Sequence, residues 1–339
     1  MNLVITLILF APFIFILLLA NLADQRRGKG ISGTELAGLS YGLLIFLYVM
    51  LILFGLILQL LGLAAQATTA AEVAVNRDLV AALGRVGPAL WIPSLIGIGL
   101  LLPVVRRLVA RMLPIDPAST VHAVSLSFTM LVLINLGATV GIGLGNLADM
   151  LQGVEPATVV DTASALWAQA LVWIIMSLVG VGWLTRRSLH ETQQRLGIVT
   201  PTLRQAAMGL AGGAGMAVLI TIGMTILENM GLSNQEVDRL SELLVGPLTQ
   251  SPLGVLSLGL AAGIGEETLL RGAIQPRFGL LLTAFLFALL HSQYGLSIAT
   301  VVVFLVGLVL GLLRQRANTS TAMICHAAYN ISLVLLSLA

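Results

Sequence analysis

Long apolar stretches separated by short polar ones dominate the chain. Ten stand out, near 3–22, 40–63, 89–104, 121–146, 163–185, 206–230, 253–275, 278–292, 297–313 and 321–338. They are continuous rather than alternating, and rich in Leu, Gly and Ala. That predicts helices, because the strands of a transmembrane barrel show short segments of period two. A bilayer-crossing helix needs roughly 20 apolar residues. The third and eighth stretches are short by that measure, and Pro88, Pro93 and Pro103 interrupt the third. The expected fold class is all-α, a polytopic transmembrane helical bundle of about ten helices.

Composition agrees with the pattern. Of 339 residues, 58% are hydrophobic and 9% charged, against about 25% charged in an ordinary soluble domain. So little polar surface cannot cover a water-soluble globule, and lipid must be the solvent over most of the surface. The net charge is +2, with basic residues scattered in pairs rather than gathered into a patch. This points away from nucleic acid as a partner and leaves membrane lipid. Cys325 is the sole cysteine, so no intramolecular disulfide can form.

Charge placement supports the count of stretches. With the N-terminus outside, Arg26, Arg27, Lys29, Arg106, Arg107, Arg111, Arg186, Arg187, Arg195, Arg204, Arg277, Arg314 and Arg316 all fall in cytosolic connections. Arg77, Arg85 and Arg239 fall outside, and Arg271 lies within a stretch. Such skew is what the positive-inside rule expects, and it places both termini outside. The first stretch lacks a basic segment before it and a small-residue cleavage site after it, so it reads as a retained helix rather than a signal peptide. The expected location is a prokaryotic plasma membrane.

The chemistry is unevenly spread. Residues 1–205 are hydrophobic and plain, whereas 206–339 carry the polar constellations, with the polar connection 186–205 as the expected boundary. In the seventh stretch, Gly265-Glu266-Glu267-Thr268-Leu269-Leu270-Arg271 sets two carboxylates in an apolar helix. Each acidic residue at a helix centre costs about 3 kcal/mol on insertion scales. Glu267 and Arg271 share a face at i, i+4 and can pair. Glu266 points elsewhere and needs another partner. Desolvation and a like-charged neighbour suit one of the two to general-base work. The eighth stretch ends in Phe287-Ala288-Leu289-Leu290-His291, and the last holds His326-Ala327-Ala328-Tyr329-Asn330, with His326 and Asn330 again at i, i+4. One histidine in a membrane helix is more often a packing residue. Two Glu, two His, an Arg and an Asn in three neighbouring apolar helices favour a functional cluster. A rise of about 1.5 Å per residue allows a cluster in the middle to inner part of the membrane, with His291 fitting least well at about 18–20 Å from the inner end of its helix.

Other features read as structure. Gly209, Gly212, Gly213 and Gly215 give the sixth stretch small faces for close helix packing. Gly141, Gly143 and Gly145 lack the strand–turn–helix context of a phosphate loop. Asn234 to Glu242 reads as an outside loop or short amphipathic helix. No Gly-x-Ser-x-Gly and no Gly-x-Gly-Asp occurs, which weighs against serine and aspartyl chemistry. His190-Glu191 begins a zincin pattern, but Gln194 stands at the second histidine position.

Three motifs in order, Glu266-Glu267-x-x-x-Arg271, Phe287-x-x-x-His291 and His326-x-x-x-Asn330, resemble the CAAX-protease and bacteriocin-processing family of intramembrane proteases. The resemblance covers 266–330 specifically and 206–339 loosely; residues 1–205 add nothing to it. It implies a helical core with a polar intramembrane cavity and cleavage of a membrane-anchored peptide by an activated water. By that resemblance Glu266 is the general base, helped by His291. His326 and Asn330 stabilise the oxyanion, while Glu267 and Arg271 hold the helix and tune its charge. The family is also called metalloprotease, and His291 and His326 with a glutamate could supply three zinc ligands. If Glu266 were a ligand, however, another group would have to be the base. Two other readings compete. One is a non-catalytic scaffold or immunity-type protein of the same fold. The other is a transporter, against which stand the clustering of polar residues in one third and the absence of repeat symmetry.

Overall fold

A computed structural model of the chain describes residues 3–67, 77–154 and 157–338, without the side chains of 65–67 and 77–79. The side chain of Arg77, assigned above to an outside connection, lies outside this description. Among the described residues the fold is helical throughout. The helices are α1 (Leu3–Gly28), α2 (Thr34–Ala67), α3 (Arg77–Leu100), α4 (Pro103–Val109), α5 (Thr120–Ile142), α6 (Leu144–Gln152) and α7 (Val159–Gly180). They continue as α8 (Leu189–Leu196), α9 (Leu203–Asn229), α10 (Gln235–Thr249), α11 (Pro252–Glu267), a π-helical segment Thr268–Ile274, α12 (Gln275–Leu290), α13 (Ile298–Arg316) and α14 (Thr319–Ser337).

Nine of the described helices are long and apolar enough to cross a membrane. The protein is thus a multi-pass membrane bundle. The predicted seventh and eighth stretches together make up one continuous run, Pro252–Leu290. That run does not go straight. The guanidinium carbon of Arg271 sits 4.7 Å from the ring centre of Phe287, whereas a straight helix would separate these residues by about 24 Å. The chain therefore reverses between them, at Gly279, whose φ of 75° and ψ of 174° no side chain would favour. The part of α12 beyond this turn is about 16 Å long, half a hydrocarbon core. Residues 291–297 complete the passage as an irregular segment, in which Ser292 accepts a hydrogen bond from the Asn135 amide of α5.

Two expectations need correction. Pro88 and Pro93 do not interrupt the third stretch; both lie inside the 24-residue α3, since neighbouring helices and local adjustments satisfy the backbone groups a membrane proline frees. The break comes only at Pro103, which opens α4. The stretch 121–146 is instead divided, because Gly143 at φ 90° ends α5 and caps α6. The region near Asn234 is a 15-residue amphipathic helix, α10, capped by the Asn234 side chain. Arg239 of α10 bonds Asp149 and Gln152 of α6.

One core cluster joins α1, α2, α3 and α5, with Val179 of α7. A second joins α9, α12, α13 and α14 with the π-helical segment. Helix α7 touches both groups, packing on α1 and on α11. Within the second group, α14 lies between two glycine faces. Gly209 and Gly213 of α9 press on Thr321, Ile324, Cys325 and Ala328, and Gly259 and Gly263 of α11 press on Met323, Ala327 and Ile331. With no water-driven force between helices in lipid, such backbone-level contact is what holds them together. It also fixes the height of His326 against α11.

The small faces separate close packing from bystanders. A Cβ on Gly213 would stand 2.3 Å from the Cys325 carbonyl oxygen, whereas one on Gly215 meets nothing within 4 Å. Thermal unfolding in detergent, followed by circular dichroism, should show Gly213→Ala destabilised by about 1–3 kcal/mol. Gly215→Ala should stay within about 0.5 kcal/mol of the parent.

Candidate active site

The carboxylate pair sits where α11 passes into the π-helical segment. The wider π turn is a departure from the α-helix expected there, and such single-turn departures are frequent at functional sites. Two contacts accommodate it. Thr268 donates its hydroxyl to the Ile264 carbonyl, and the Gly272 carbonyl accepts from Arg195 of α8 at 3.1 Å. Gly272 packs against Leu196, leaving no space for a side chain there.

Glu267 and Arg271 are both completely buried, and His326 is 3% exposed. The Arg271 Nε lies 3.2 Å from Glu267 Oε2, an ion pair across i, i+4. The other carboxylate oxygen, Oε1, accepts from His326 Nδ1 at 3.0 Å. The Arg271–Glu267 contact is ionic, not a hydrogen bond: neither Glu267 Oε2 nor any of the three guanidinium nitrogens of Arg271 has a hydrogen-bond partner among the described residues, and the guanidinium faces the Phe287 ring. A desolvated cation over an aromatic face is stabilised by about 2 kcal/mol. Phe287 also meets the rings of His291 at 5.0 Å and His326 at 5.7 Å. The phenylalanine of the second motif is thus the apolar centre around which the arginine and both histidines are arranged.

Glu266 is different. It is partly buried and makes no hydrogen bond or ion pair among the described residues. Its carboxylate is within electrostatic reach of Arg271, His326 and Tyr294. His291, at the C-cap of α12, places Nδ1 2.9 Å from the Phe287 carbonyl. A carbonyl can only accept, so Nδ1 carries a proton, and in the neutral ring Nε2 is the nitrogen with the lone pair. Asn330 lies one turn beyond His326 on α14, partly buried and with no hydrogen-bond partner among the described residues.

All six residues singled out from the sequence therefore lie on the α11–π, α12 and α14 elements. The structure ties Glu267, Arg271, Phe287, His291 and His326 by direct contact, and it ties Glu266 to the group by charge alone. Among the described residues no three His, Cys, Asp or Glu side chains converge to hold a metal ion. The carboxylate that His326 meets is Glu267, whose other oxygen is paired with Arg271.

Nothing in the sequence points to Tyr294. Its ring stacks on His291 at 5.9 Å and 7°. Lying three residues past His291 in an irregular segment, it looks in sequence like an ordinary interfacial aromatic.

Residues 248–332 match the family described as type II CAAX prenyl endopeptidase Rce1-like. This C-terminal portion belongs to the CAAX-protease family. The match takes in all of α11, α12 and α13 and the part of α14 that carries His326 and Asn330. No curated protein and no solved structure matches the chain.

The buried pair makes a stability prediction. Arg271→Gln leaves the Glu267 carboxylate buried beside His326 alone, which should destabilise the folded protein by about 3–5 kcal/mol. The double change Glu267→Gln with Arg271→Gln should recover much of that loss, as read by unfolding midpoints in detergent.

Proposed function

We propose that the protein is an intramembrane endopeptidase in which Glu266, assisted by His291, activates a water to attack a peptide bond of a membrane-anchored substrate. The family match supports the reaction class. The division of labour between the two glutamates carries the mechanism. Glu267 has both oxygens engaged, by Arg271 and by His326, so its charge serves to hold neighbours. Glu266 makes no hydrogen bond or ion pair among the described residues and acts on Arg271 and His326 through its charge. A general base must be able to reach the proton it removes, and of the two only Glu266 is free to do so.

Water deprotonation by Glu266, with the unprotonated Nε2 of His291 as a second acceptor, produces a nucleophile close to neutral pH. Attack on the carbonyl creates a tetrahedral oxyanion. His326 is oriented for that charge, because its Nδ1 is held by Glu267 and Nε2 is left as the outward nitrogen. When the ring is charged, Nε2–H donates to the oxyanion, and Glu267 at 3.0 Å supplies the counter-charge. The Asn330 amide, one turn along the same face, is the second donor. Fixed donors in a low-dielectric site are the strongest lever available for such a step. Arg271 is a positioning residue, since it acts through Glu267. Collapse of the intermediate passes the proton from Glu266 or His291 to the leaving amine.

In this reading the substrate is a lipid-anchored or transmembrane peptide of the CAAX type, reached in the plane of a prokaryotic plasma membrane. The termini lie outside and the basic connections face the cytosol, which sets the site in the middle to inner half of the bilayer.

Purified protein in detergent or proteoliposomes is to be assayed on fluorogenic membrane-anchored peptides that include prenylated CAAX sequences. Glu266→Gln should lower kcat by about 10²–10⁴-fold with an unchanged unfolding midpoint. Equal cleavage by parent and variant would remove Glu266 as the base. Asn330→Ala should lower kcat by about 10²–10³-fold with little change in KM, the signature of a contact made in the transition state. A chelator should leave the rate unchanged; loss that zinc restores would overturn the metal-free mechanism.

A further inference from the structure

Beside the site, and distinct from it, lies a cavity of about 710 Å³, within the range of about 300–1,000 Å³ that small-molecule sites occupy. None of Glu266, Glu267, His291, His326 or Asn330 lines it. Its walls are α1, α5 and α7 on one side and the segment from Leu269 to Leu290 on the other. Most of it therefore comes from residues outside the matched segment 248–332. One end is apolar, with Phe10, Phe13, Phe128, Val132 and Leu286 on its wall. Arg27, Arg186, Arg187, Arg195 and Arg277 also line the cavity; Arg27, Arg195 and Arg277 lie near the ends of α1, α8 and α12, and Arg186 and Arg187 in the connection between α7 and α8.

The charges of these arginines are not balanced. Arg27 is paired with Asp116 at 3.1 Å and lies near Asp24. Asp24 itself is taken up by Ser119 and by the backbone amides of Thr120 and Val121. The other arginines meet only neutral acceptors. Arg186 donates to Asn21 Oδ1 at 2.7 Å, Arg187 to the Val181 carbonyl and Arg195 to the Gly272 carbonyl. Arg277 is exposed and has no hydrogen bond or ion pair among the described residues. These cations feel one another. Arg195 is pushed down to about 10, first by burial and then by Arg277 and Arg187. It still keeps its charge at neutral pH.

We propose that this cavity binds one chain of an anionic membrane lipid, with the headgroup phosphate held by Arg277 together with Arg186, Arg187 and Arg195. The shape fits. From Asp24 to Phe10 the α1 wall runs about 21 Å, longer than the roughly 15 Å that half of the hydrocarbon core allots to a chain. The charge fits as well. A planar guanidinium is the side chain best matched to phosphate, and four of them here form no ion pair among the described residues, although Asp24 lies within electrostatic reach of Arg186. A zwitterionic lipid would bring its own cation into this already positive cavity. The lipid would seat α1, α5 and α7 against the α12 hairpin without touching the reacting groups.

The test uses the full chain in detergent, titrated with single-chain phosphatidylglycerol and with phosphatidylcholine of the same chain length. Binding is read by native mass spectrometry and by the shift of the unfolding midpoint. The phosphatidylglycerol should bind at least about tenfold more tightly, and the difference should shrink as salt rises. Glycerol phosphate without a chain should bind far more weakly than either lipid. Arg277→Gln, at a residue without partners, should weaken the anionic lipid by about tenfold. Val132→Phe, which fills the shaft, should weaken both lipids. Equal binding of the two headgroups by the parent protein overturns the proposal whatever the variants do. Tighter binding of a farnesylated peptide with a free carboxylate, lost in Arg277→Gln, overturns it too and assigns the cavity to substrate.

Discussion

A single carboxylate, that of Glu267, organises the C-terminal third of the molecule. Buried completely in a medium that cannot solvate it, it must be met by charge and hydrogen bonds or not be ionised at all. Two groups meet it, Arg271 from one turn ahead and His326 from another helix. The arginine would in turn be stranded without the ring of Phe287, and that ring reaches it only because the chain folds back at Gly279. The hairpin, the register of α14 and the orientation of both histidines thus follow from keeping one negative charge in lipid. Removing one partner of such an arrangement costs more than the arrangement contributes, because what remains is a bare buried ion.

Glycine supplies the second part of the explanation. A histidine can bond a fully buried carboxylate on another helix only if the two backbones come close. Gly259 and Gly263 on α11, with Gly209 and Gly213 on α9, allow α14 that approach from both sides. The fold thereby gives the adjacent glutamates unlike surroundings. Glu267 is enclosed by neighbours, while Glu266, turned by about one hundred degrees, is left with an unengaged carboxylate among the described residues. Two residues of identical chemistry are given unlike surroundings by the direction in which a helix points them.

Much of this was legible in the chain itself. The bundle follows from the length and continuity of the apolar stretches. The Glu267–Arg271 pair follows from i, i+4 spacing, and the cost of polar groups in lipid singles out Glu266, His291, His326 and Asn330, of which Asn330 makes no hydrogen bond among the described residues. Other features were not legible, for identifiable reasons. A π turn differs from an α turn by one extra residue and leaves no mark on hydrophobic periodicity. Pro88 and Pro93 look like breaks because sequence cannot show which neighbours satisfy the freed backbone groups. The partner of His326 could not be read, since spacing along one helix does not say which of two adjacent carboxylates another helix will meet. Tyr294 was missed because its stacking on His291 depends on an irregular segment with no periodic pattern. The arginine-rimmed cavity is assembled from residues as distant in sequence as Phe10 and Leu290, so only the tertiary structure brings it together.

The placement of Arg271 on the same helix as Glu267 also bears on how the chain enters the bilayer. Helices emerge in order, and the segment carrying both glutamates arrives before Phe287 and His326 exist. Were the counter-charge on a later helix, this segment would face lipid with two uncompensated carboxylates. With the arginine four residues on, half of that charge is cancelled within the segment itself, before any neighbour is made. The ion pair therefore serves biogenesis before it serves the finished protein, and the later helices assemble around a centre whose charge is already halved.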